Sequence, residues 1–496
     1  MSEQKLTDEM KNEKSASAGK KAAKENKMGT MPVNKLLISM AIPLMLSNFV
    51  QALYNVVDSL FVARITSDEV VYDEAGEIIS AGTDALNAIG LAFPVQIIII
   101  ALGIGTGVGV GSVLSRSLGE KRGDLADSAA MHGIFLMLLS YLISLSIGLF
   151  FARAVIAGQG ATGRTLEYGA TYLRIICCCS LAVYMEMMLE RLLQSTGRTH
   201  LSMIPQITGA VINVIMDPIL IFGIGPFPKM GVAGAALATV FGQTVATALG
   251  LFLNLRFNPD IHLSIRKFRI SFSMIRNIYV VGLPAIAMQA VGSIMNFGMN
   301  SILLSLSNGA VAVFTVYYKL QSFFFMPLFG LNNAVTSIVA FNFGARNKKR
   351  MMNAYKLCLV YSFAMIFIGF LLFELTPRLL LTPFDTKDAS LFTIGIPALR
   401  IIGVHYLFAW FCIVTGGVFQ ALGNGIYSLI TSLMRQLVVL LPAAWILGKI
   451  GGLALVWWSF PIAELMSLTV TAICFLRIYR RVISKIPNDP PTSITA

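Results

Sequence analysis

Residues 86–114 read LNAIGLAFPVQIIIIALGIGTGVGVGSVL, and this stretch decides the fold. It holds no Asp, Glu, Lys or Arg. An uncharged run longer than ~20 residues spans the hydrocarbon core of a bilayer when coiled as a helix. Backbone groups in lipid must be hydrogen-bonded within the protein, which leaves helices or a closed barrel. Barrel strands would be ~10 residues of alternating polarity. The run is continuously apolar, so it is read as a helix. Its glycines Gly103, Gly105, Gly107, Gly109 and Gly111 superficially suggest a phosphate loop. Their spacing of two inside a span is not G-x-G-x-x-G, and close helix packing is the better reading.

Runs of the same kind recur along the chain. Twelve spans are expected near 36–64, 86–114, 128–152, 166–194, 202–223, 231–255, 277–305, 310–340, 354–376, 392–422, 428–447 and 452–476. The composition agrees: 56% of residues are hydrophobic and 13% charged, against about 25% charged in soluble domains. The expected fold class is therefore an all-α membrane protein. The six cysteines are read as buried thiols, with no His spacing to suggest a metal site. Residues 1–33 are polar and Lys-rich, without the apolar core of a cleavable signal, and are expected to form a disordered cytoplasmic tail.

The loops fix the orientation. One set carries Arg116, Lys121, Arg122, Arg198, Arg266, Lys267, Arg269, Arg276, Arg346, Lys348, Lys349 and Arg350, and the C-terminus adds Arg477, Arg480, Arg481 and Lys485. The other set includes an acidic loop with Asp68, Glu69, Asp73, Glu74, Glu77 and Asp84. Basic loops stay inside, so both termini are expected in the cytoplasm of a cell (inner) membrane protein. The net charge of +13 is explained by this rule, and no continuous basic surface points to nucleic acid.

The longest basic loop halves the chain, and the halves repeat. Pro43 and Asn55 match Pro284 and Asn296; Gln96, Gly105, Ser112 and Gly119 match Gln321, Gly330, Ser337 and Gly344. Leu173-Arg174-Ile175-Ile176 matches Leu399-Arg400-Ile401-Ile402, and Gln194 and Gly197 match Gln420 and Gly423. Six spans per half make these parallel repeats about an axis along the membrane normal. The expected layout is an N-lobe over 34–256, a cytoplasmic inter-lobe loop over 257–276, a C-lobe over 277–480 and a tail over 481–496.

Charge buried in the membrane marks the chemistry. Asn213 and Asp217 are four residues apart on one helical face, as are Ala235 and Thr239. At ~1.5 Å per residue, Asp217 lies ~22 Å from the inner end of its span and Thr239 ~12 Å from the outer end, which nearly coincide in a ~30 Å core. Asp58 also lies in the outer half. These hard oxygens suit a proton or Na⁺, and a carboxylate pair favours proton exchange. Pro43, in the same span as Asp58, supplies a possible bend. Glu186, flanked by Met185, Met187 and Met188, is a candidate contact for a cationic substrate; Met-rich surfaces suit varied apolar ligands. Glu464, Arg435 and the equivalent Arg174 and Arg400 are further charges within spans.

The segments Tyr54-Asn55-Val56-Val57-Asp58, Gln194-Ser195-Thr196-Gly197-Arg198-Thr199, Asn213-Val214-Ile215-Met216-Asp217-Pro218 and Gly231-Val232-Ala233-Gly234-Ala235-Ala236-Leu237-Ala238-Thr239 together resemble the multidrug and toxic compound extrusion (MATE) family, within the wider flippase-like exporter superfamily. The resemblance covers roughly residues 34–480. It implies two six-helix lobes in a V related by a pseudo-twofold axis, and export of amphipathic cations against H⁺ or Na⁺. It implies that Asp58, Asn213, Asp217, Thr239 and the backbone of Ala235 form a cation-linked network in the N-lobe, and that Pro43 is a bending proline. The seventh span has Gln289 after Pro284 where another branch has a C-lobe carboxylate, which is similar to the DinF branch instead.

The resulting expectation is a monomeric, non-enzymatic antiporter without cofactor, driven by H⁺ or Na⁺, since no Walker loop is present. Its partners are small amphipathic or cationic organic molecules and the lipid bilayer. A lipid or oligosaccharide flippase of the same superfamily would call for a strongly cationic cavity, whereas the charges here are mixed. A non-transporting sensor or receptor would not need the paired ion network.

Overall fold

The computed structural model describes residues 26–65, 71–72, 78–79, 81–384 and 389–488. The expected disorder of residues 1–25 and the acidic positions Asp68, Glu69, Asp73, Glu74 and Glu77 lie outside the described residues, as does the side chain of Asn55. Among the described residues the chain is helical, apart from its connections and a small antiparallel ribbon pairing Val71 with Ile79 and Tyr72 with Ile78.

Ten described helices are long and apolar enough to cross a membrane, and two bent pairs bring the spans to twelve. In chain order the spans are Val33–Ala63, Ala81–Gly119, Gly123–Ala157, Gly163–Cys178 with Leu181–Ser195, Thr199–Phe222, Val232–Phe257, Phe272–Leu304, Asn308–Gly344, Lys348–Leu375, Ala389–Gly403 with Tyr406–Ala421, Gly425–Val456 and Ser459–Arg481. The two bent spans are the fourth and tenth, at 46° and 52°, which are equivalent positions in the two halves. At the second bend His405 is buried and its Nδ1 pairs with Ile402 O at 2.6 Å, which makes it a packed polar residue.

The repeat is written in the backbone as well as in the side chains. Lys121 and Arg346 adopt positive φ of 58° and 53°, and Gly197 and Gly423 adopt 83° and 77°. These pairs carry the offsets of the sequence matches. Left-handed residues end helices by turning the chain away from its last carbonyls, so both halves make the same turns after their second and fourth spans. Gly231 and Gly452, at 54° and 58°, likewise reverse the chain ahead of the last span of each half.

The alternating glycines of the second span do pack helices, and on two sides. Spacing of two in a helix switches faces, while spacing of four keeps one. Gly103, Gly107 and Gly111 therefore face Met187, Arg191 and Ser195 of the fourth span. Gly105 and Gly109 face Gly282, Ile286 and Ile278 of the seventh span, across the lobe boundary. The repeat supplies the mirror contact: Gly330 of the eighth span lies against Leu44 and Met45 of the first. On the axis itself, Gly119 abuts Phe341 O and Gly344 abuts Arg116 O. Ser112 adds a hydrogen bond from its Oγ to Gln420 O, 2.9 Å, between the lobes.

Each lobe has its own apolar core, one around Tyr184 and Leu192 and the other around Phe314, Tyr317 and Tyr406. A third cluster, around Met28, Leu36, Ile338 and Phe419, lies toward the face that carries the basic loops.

Residues 26–33 correct the expectation of a tail running to 33. Lys27–Thr30 is a helical turn capped by Asn26, whose Oδ1 accepts from Met28 N at 2.9 Å. Met28 is fully buried. Asn26 Nδ2 donates to Thr196 O and Asp260 Oδ1 on the N-lobe side. Arg350 Nη2 donates to Met28 O at 3.1 Å and Met31 O at 2.6 Å on the C-lobe side. The apolar Met28 and the free carbonyls of so short a turn explain why this piece docks although its neighbours are polar. At the other end, Lys348 N and Lys349 N donate to Pro487 O and Asn488 O. Both described ends of the chain thus lie on the face of the basic loops.

Candidate functional site

The fifth span brings Asn213 and Asp217 to one buried face, where they are 3% and 0% exposed. The helix runs past Pro218 to Phe222 and ends at Gly223, φ 75°, so Asp217 sits inside the helix and does not cap its end. Asn213 Nδ2 donates to Asp217 Oδ1 at 3.4 Å and to Thr239 Oγ1 at 3.3 Å. Thr239 Oγ1 in turn donates to Ala235 O at 3.1 Å, one helical turn back in the sixth span. Close approach of the two spans makes this possible: Gly242 packs against Gly209 O, and Gly234 against Leu220 O.

The first span delivers Asp58 to the same place. The Asp58 and Asp217 carboxyl groups lie side by side. All five residues expected in the cation-linked network are therefore brought together. Three of their buried oxygens, Asp58 Oδ1, Asn213 Oδ1 and Asp217 Oδ2, meet no donor. Buried acceptors are normally satisfied, so this cluster fits a proton or a small hard cation. Among the described residues no group of three or more His, Cys, Asp or Glu side chains could hold a metal. Two carboxylates with an amide and a hydroxyl suit Na⁺ better than a transition metal.

Asn213 and Thr239 also line a cavity of about 240 Å³ with Tyr54, Glu186 and Glu190. Gln206 and Gln51 close its side through a 2.7 Å hydrogen bond, from Gln206 Nε2 to Gln51 Oε1. Glu186 faces this cavity as expected. Met185 and Met188 do not: Met188 is fully buried against Gly133, and Met185 packs on the N-lobe core. Val183, Glu186, Met187, Glu190 and Gln194 share the cavity face of the helix at spacings of three and four. The methionine at the cavity is consequently Met187. Glu190 and Arg191 both line the cavity, and Glu190 Oε1 accepts no hydrogen bond.

Gln289 lines a second, adjoining cavity of about 590 Å³ on the C-lobe side. The two cavities share Asn48, Gln51, Arg191 and Asn333. Pro43 lies within an unbroken helix. Arg174 is exposed, and Arg400 reaches Glu374 O at 3.2 Å, so neither enters the cleft. The sequence reading missed Asn48, Gln51 and Tyr54, although they form a polar stripe with Asp58 at helical spacing along the first span.

The MatE family model matches residues 76–219 and 284–446. The chain is 26% identical over 430 residues to "Multidrug export protein MepA" of Staphylococcus haemolyticus, covering 87% of this chain and 90% of that protein. It is 27% identical over 447 residues to the Staphylococcus aureus protein of the same name, covering 90% and 94%. A solved outward-facing MATE family transporter superposes with a TM-score of 0.83 at 26% identity, covering 94% of this chain and 100% of that one. A MATE structure in the straight conformation gives 0.84 at the same identity and coverage.

Proposed function

Since the chain belongs to the MatE family, we propose that it is a secondary active antiporter that exports amphipathic, cationic organic compounds in exchange for H⁺ or Na⁺. The observation that carries this reading is the buried pair Asp58–Asp217, which with Asn213 leaves three oxygens donor-free, next to Asn213 and Thr239 in the wall of a cavity that Glu186 and Glu190 also line. The names of the relatives, multidrug export proteins, support export of varied small molecules.

Two carboxylates side by side in a low-dielectric site repel unless a cation or proton offsets one of them. Asn213 Nδ2 holds both Asp217 Oδ1 and Thr239 Oγ1, and its own Oδ1 is buried without a donor. A coupling ion bound there removes negative charge from the wall shared with the cavity, through Asn213 and Thr239. A cationic substrate held by Glu186 and Glu190 then loses part of its attraction. Release of the ion restores it. Occupancy by ion and by substrate is therefore opposed, which is the requirement for exchange.

The contacts through Gly105, Gly119, Gly330 and Gly344 hold the lobes together toward the basic face. With that face in the cytoplasm, as the loop charges favour, these contacts close the inner side of the cleft. Transport requires them to separate, with the lobes rocking about the site. Pro43 lies ~22 Å along the first span from Asp58 and offers a place for that span to bend. The absence of a C-lobe acid at Gln289 favours a DinF-like branch with the coupling site in the N-lobe. The transporter is proposed to act as a monomer in the cell membrane.

The test is efflux of a fluorescent organic cation from proteoliposomes, comparing wild type with Asp58→Asn under an imposed H⁺ gradient and then an Na⁺ gradient. Gradient-driven efflux that disappears in the variant supports the antiporter and names the ion. Normal coupled transport by Asp58→Asn overturns the N-lobe mechanism, and a folded wild type idle under both gradients overturns the antiport reading.

A further inference from the structure

Arg435 and Glu464, charges of the eleventh and twelfth spans, have no part in the ion network. Arg435 stands in the π-helical stretch Met434–Leu440, a local widening that often re-aims side chains at functional positions. Its Nη1 lies 3.6 Å from Glu464 Oε1, an ion pair too long for a hydrogen bond. The Arg435 side chain is 28% exposed and that of Glu464 5%. The guanidinium therefore fronts the C-lobe cavity and the carboxylate stands behind it. Glu464 offsets the charge of a cation deep in a span, which would otherwise be costly. It leaves the planar N–H fork of Arg435 open toward the cavity.

The polarity of the cleft runs from acid to base. Its N-lobe cavity is lined by Glu186 and Glu190, with Arg191. Its C-lobe cavity is lined by Arg191 and Arg435, by the amides of Gln289 and Gln436, and by no carboxylate. The two cavities adjoin at their shared lining, and about 590 Å³ on the C-lobe side accommodates a drug-sized molecule. A purely cationic ligand would meet like charge at the C-lobe end, and a purely anionic one at the N-lobe end. A guanidinium fork matches a carboxylate through two parallel hydrogen bonds. Of the two guanidiniums that line this cavity, Arg191 also lines the N-lobe cavity beside Glu190 and Arg435 is paired with Glu464, which suits a single negative charge rather than a phosphate dianion.

We propose that Arg435, held by Glu464, binds the carboxylate of amphipathic zwitterionic substrates whose cationic end faces Glu186 and Glu190. The proposal rests on the export reading for its physiological meaning, but the binding step is testable apart from it.

The probes are rhodamine B, a fluorescent zwitterion with a free carboxylate, and its ethyl ester, a permanent cation on the same ring system. Binding is measured by fluorescence anisotropy with the full-length protein in nanodiscs. Wild type is expected to bind rhodamine B at least about tenfold more tightly than the ester, the scale of a charge-assisted hydrogen-bond pair. Arg435→Gln is expected to abolish that preference while leaving the ester affinity within about twofold. Arg435→Lys, which keeps the charge and loses the fork, is expected to fall between them. Equal binding of the two probes by wild type overturns the proposal whether or not any variant folds. Parallel loss of both probes in Arg435→Gln also overturns it, because that marks a structural pair. If the carboxylate preference is found but neither ion gradient drives rhodamine B out of proteoliposomes, the site stands and the antiport reading falls.

Discussion

Gly105 and Gly282 meet backbone to backbone across the lobe boundary. A Cβ on Gly105 would lie 2.8 Å from Gly282 O, and a Cβ on Gly282 would lie 2.9 Å from Gly105 O. Neither neighbour is a flexible side-chain end that could swing aside. In a membrane, helix association depends on such close packing, because lipid tails are as apolar as the side chains they replace.

Gly105→Ala is accordingly expected to push the second and seventh spans apart and to destabilise the closed lobe contact by about 1–3 kcal/mol. Gly90 lies in the same span with nothing within 4 Å of its would-be Cβ, so Gly90→Ala serves as the control. Thermal unfolding in one detergent, followed by the fluorescence of a thiol-reactive dye, reads both. Equal melting of the two variants would show that the lobe contact tolerates the extra methyl.

The hydroxyl of Thr239 links Asn213 to Ala235 O. Thr239→Val keeps the shape and removes both hydrogen bonds, leaving Asn213 Nδ2 short of an acceptor. It is expected to reduce gradient-driven efflux about tenfold or more, from the ~1–3 kcal/mol of an unsatisfied buried polar group. Thr239→Ser restores the hydroxyl and is expected to stay within about twofold of wild type. Initial rates under the driving gradient check the pair, and a serine variant as poor as the valine one would remove the hydroxyl from the mechanism.

Met187 and Met188 are neighbours in sequence on different faces of one helix. Met188→Ala is expected to lower stability by about 2 kcal/mol or more through the void it leaves beside Gly133. Met187→Ala is expected to change relative affinities among apolar cations, with a smaller effect on stability, because its side chain lines the cavity. A melting curve and a panel of competing dyes separate the two, and a substrate shift confined to Met188→Ala would reverse the assignment.

Arg350 ties the Met28 and Met31 carbonyls to the ninth span. Arg350→Ala is expected to release residues 26–31, seen as faster hydrogen exchange at those amides with the rest of the basic face unchanged. Lys27, in the same segment, has its pKa lowered from the ordinary lysine value, first by burial and then by the nearby Arg198 guanidinium. The docked state therefore binds protons less readily than the free one. Docking gains stability as pH rises through the docked pKa toward the ordinary value and loses it as pH falls below. Lys27→Met is expected to flatten that dependence, and exchange measured across the alkaline range tests the sign.

Membrane class, the twelve spans, the twofold repeat and the Asn213–Asp217 face were legible in the sequence. Each follows from local rules: apolar length, helical period and matching residues at a fixed offset. The Asp58 partnership was accessible through depth along the spans, since all of them run between the same two surfaces. Helix rotation was not legible. Whether Met185, Met187 or Met188 reaches the cavity depends on how the fourth span is turned, and that is set by Gly103, Gly107 and Gly111 meeting Met187, Arg191 and Ser195 on another helix. The docking of Met28 between the lobes and the placing of Arg435 in front of Glu464 likewise belong to tertiary structure. The sequence by itself determined that these helices cross a membrane as two related sets. Only the packing of one helix against another, fixed by backbone contacts between residues far apart in the chain, decided which side chains share the cleft.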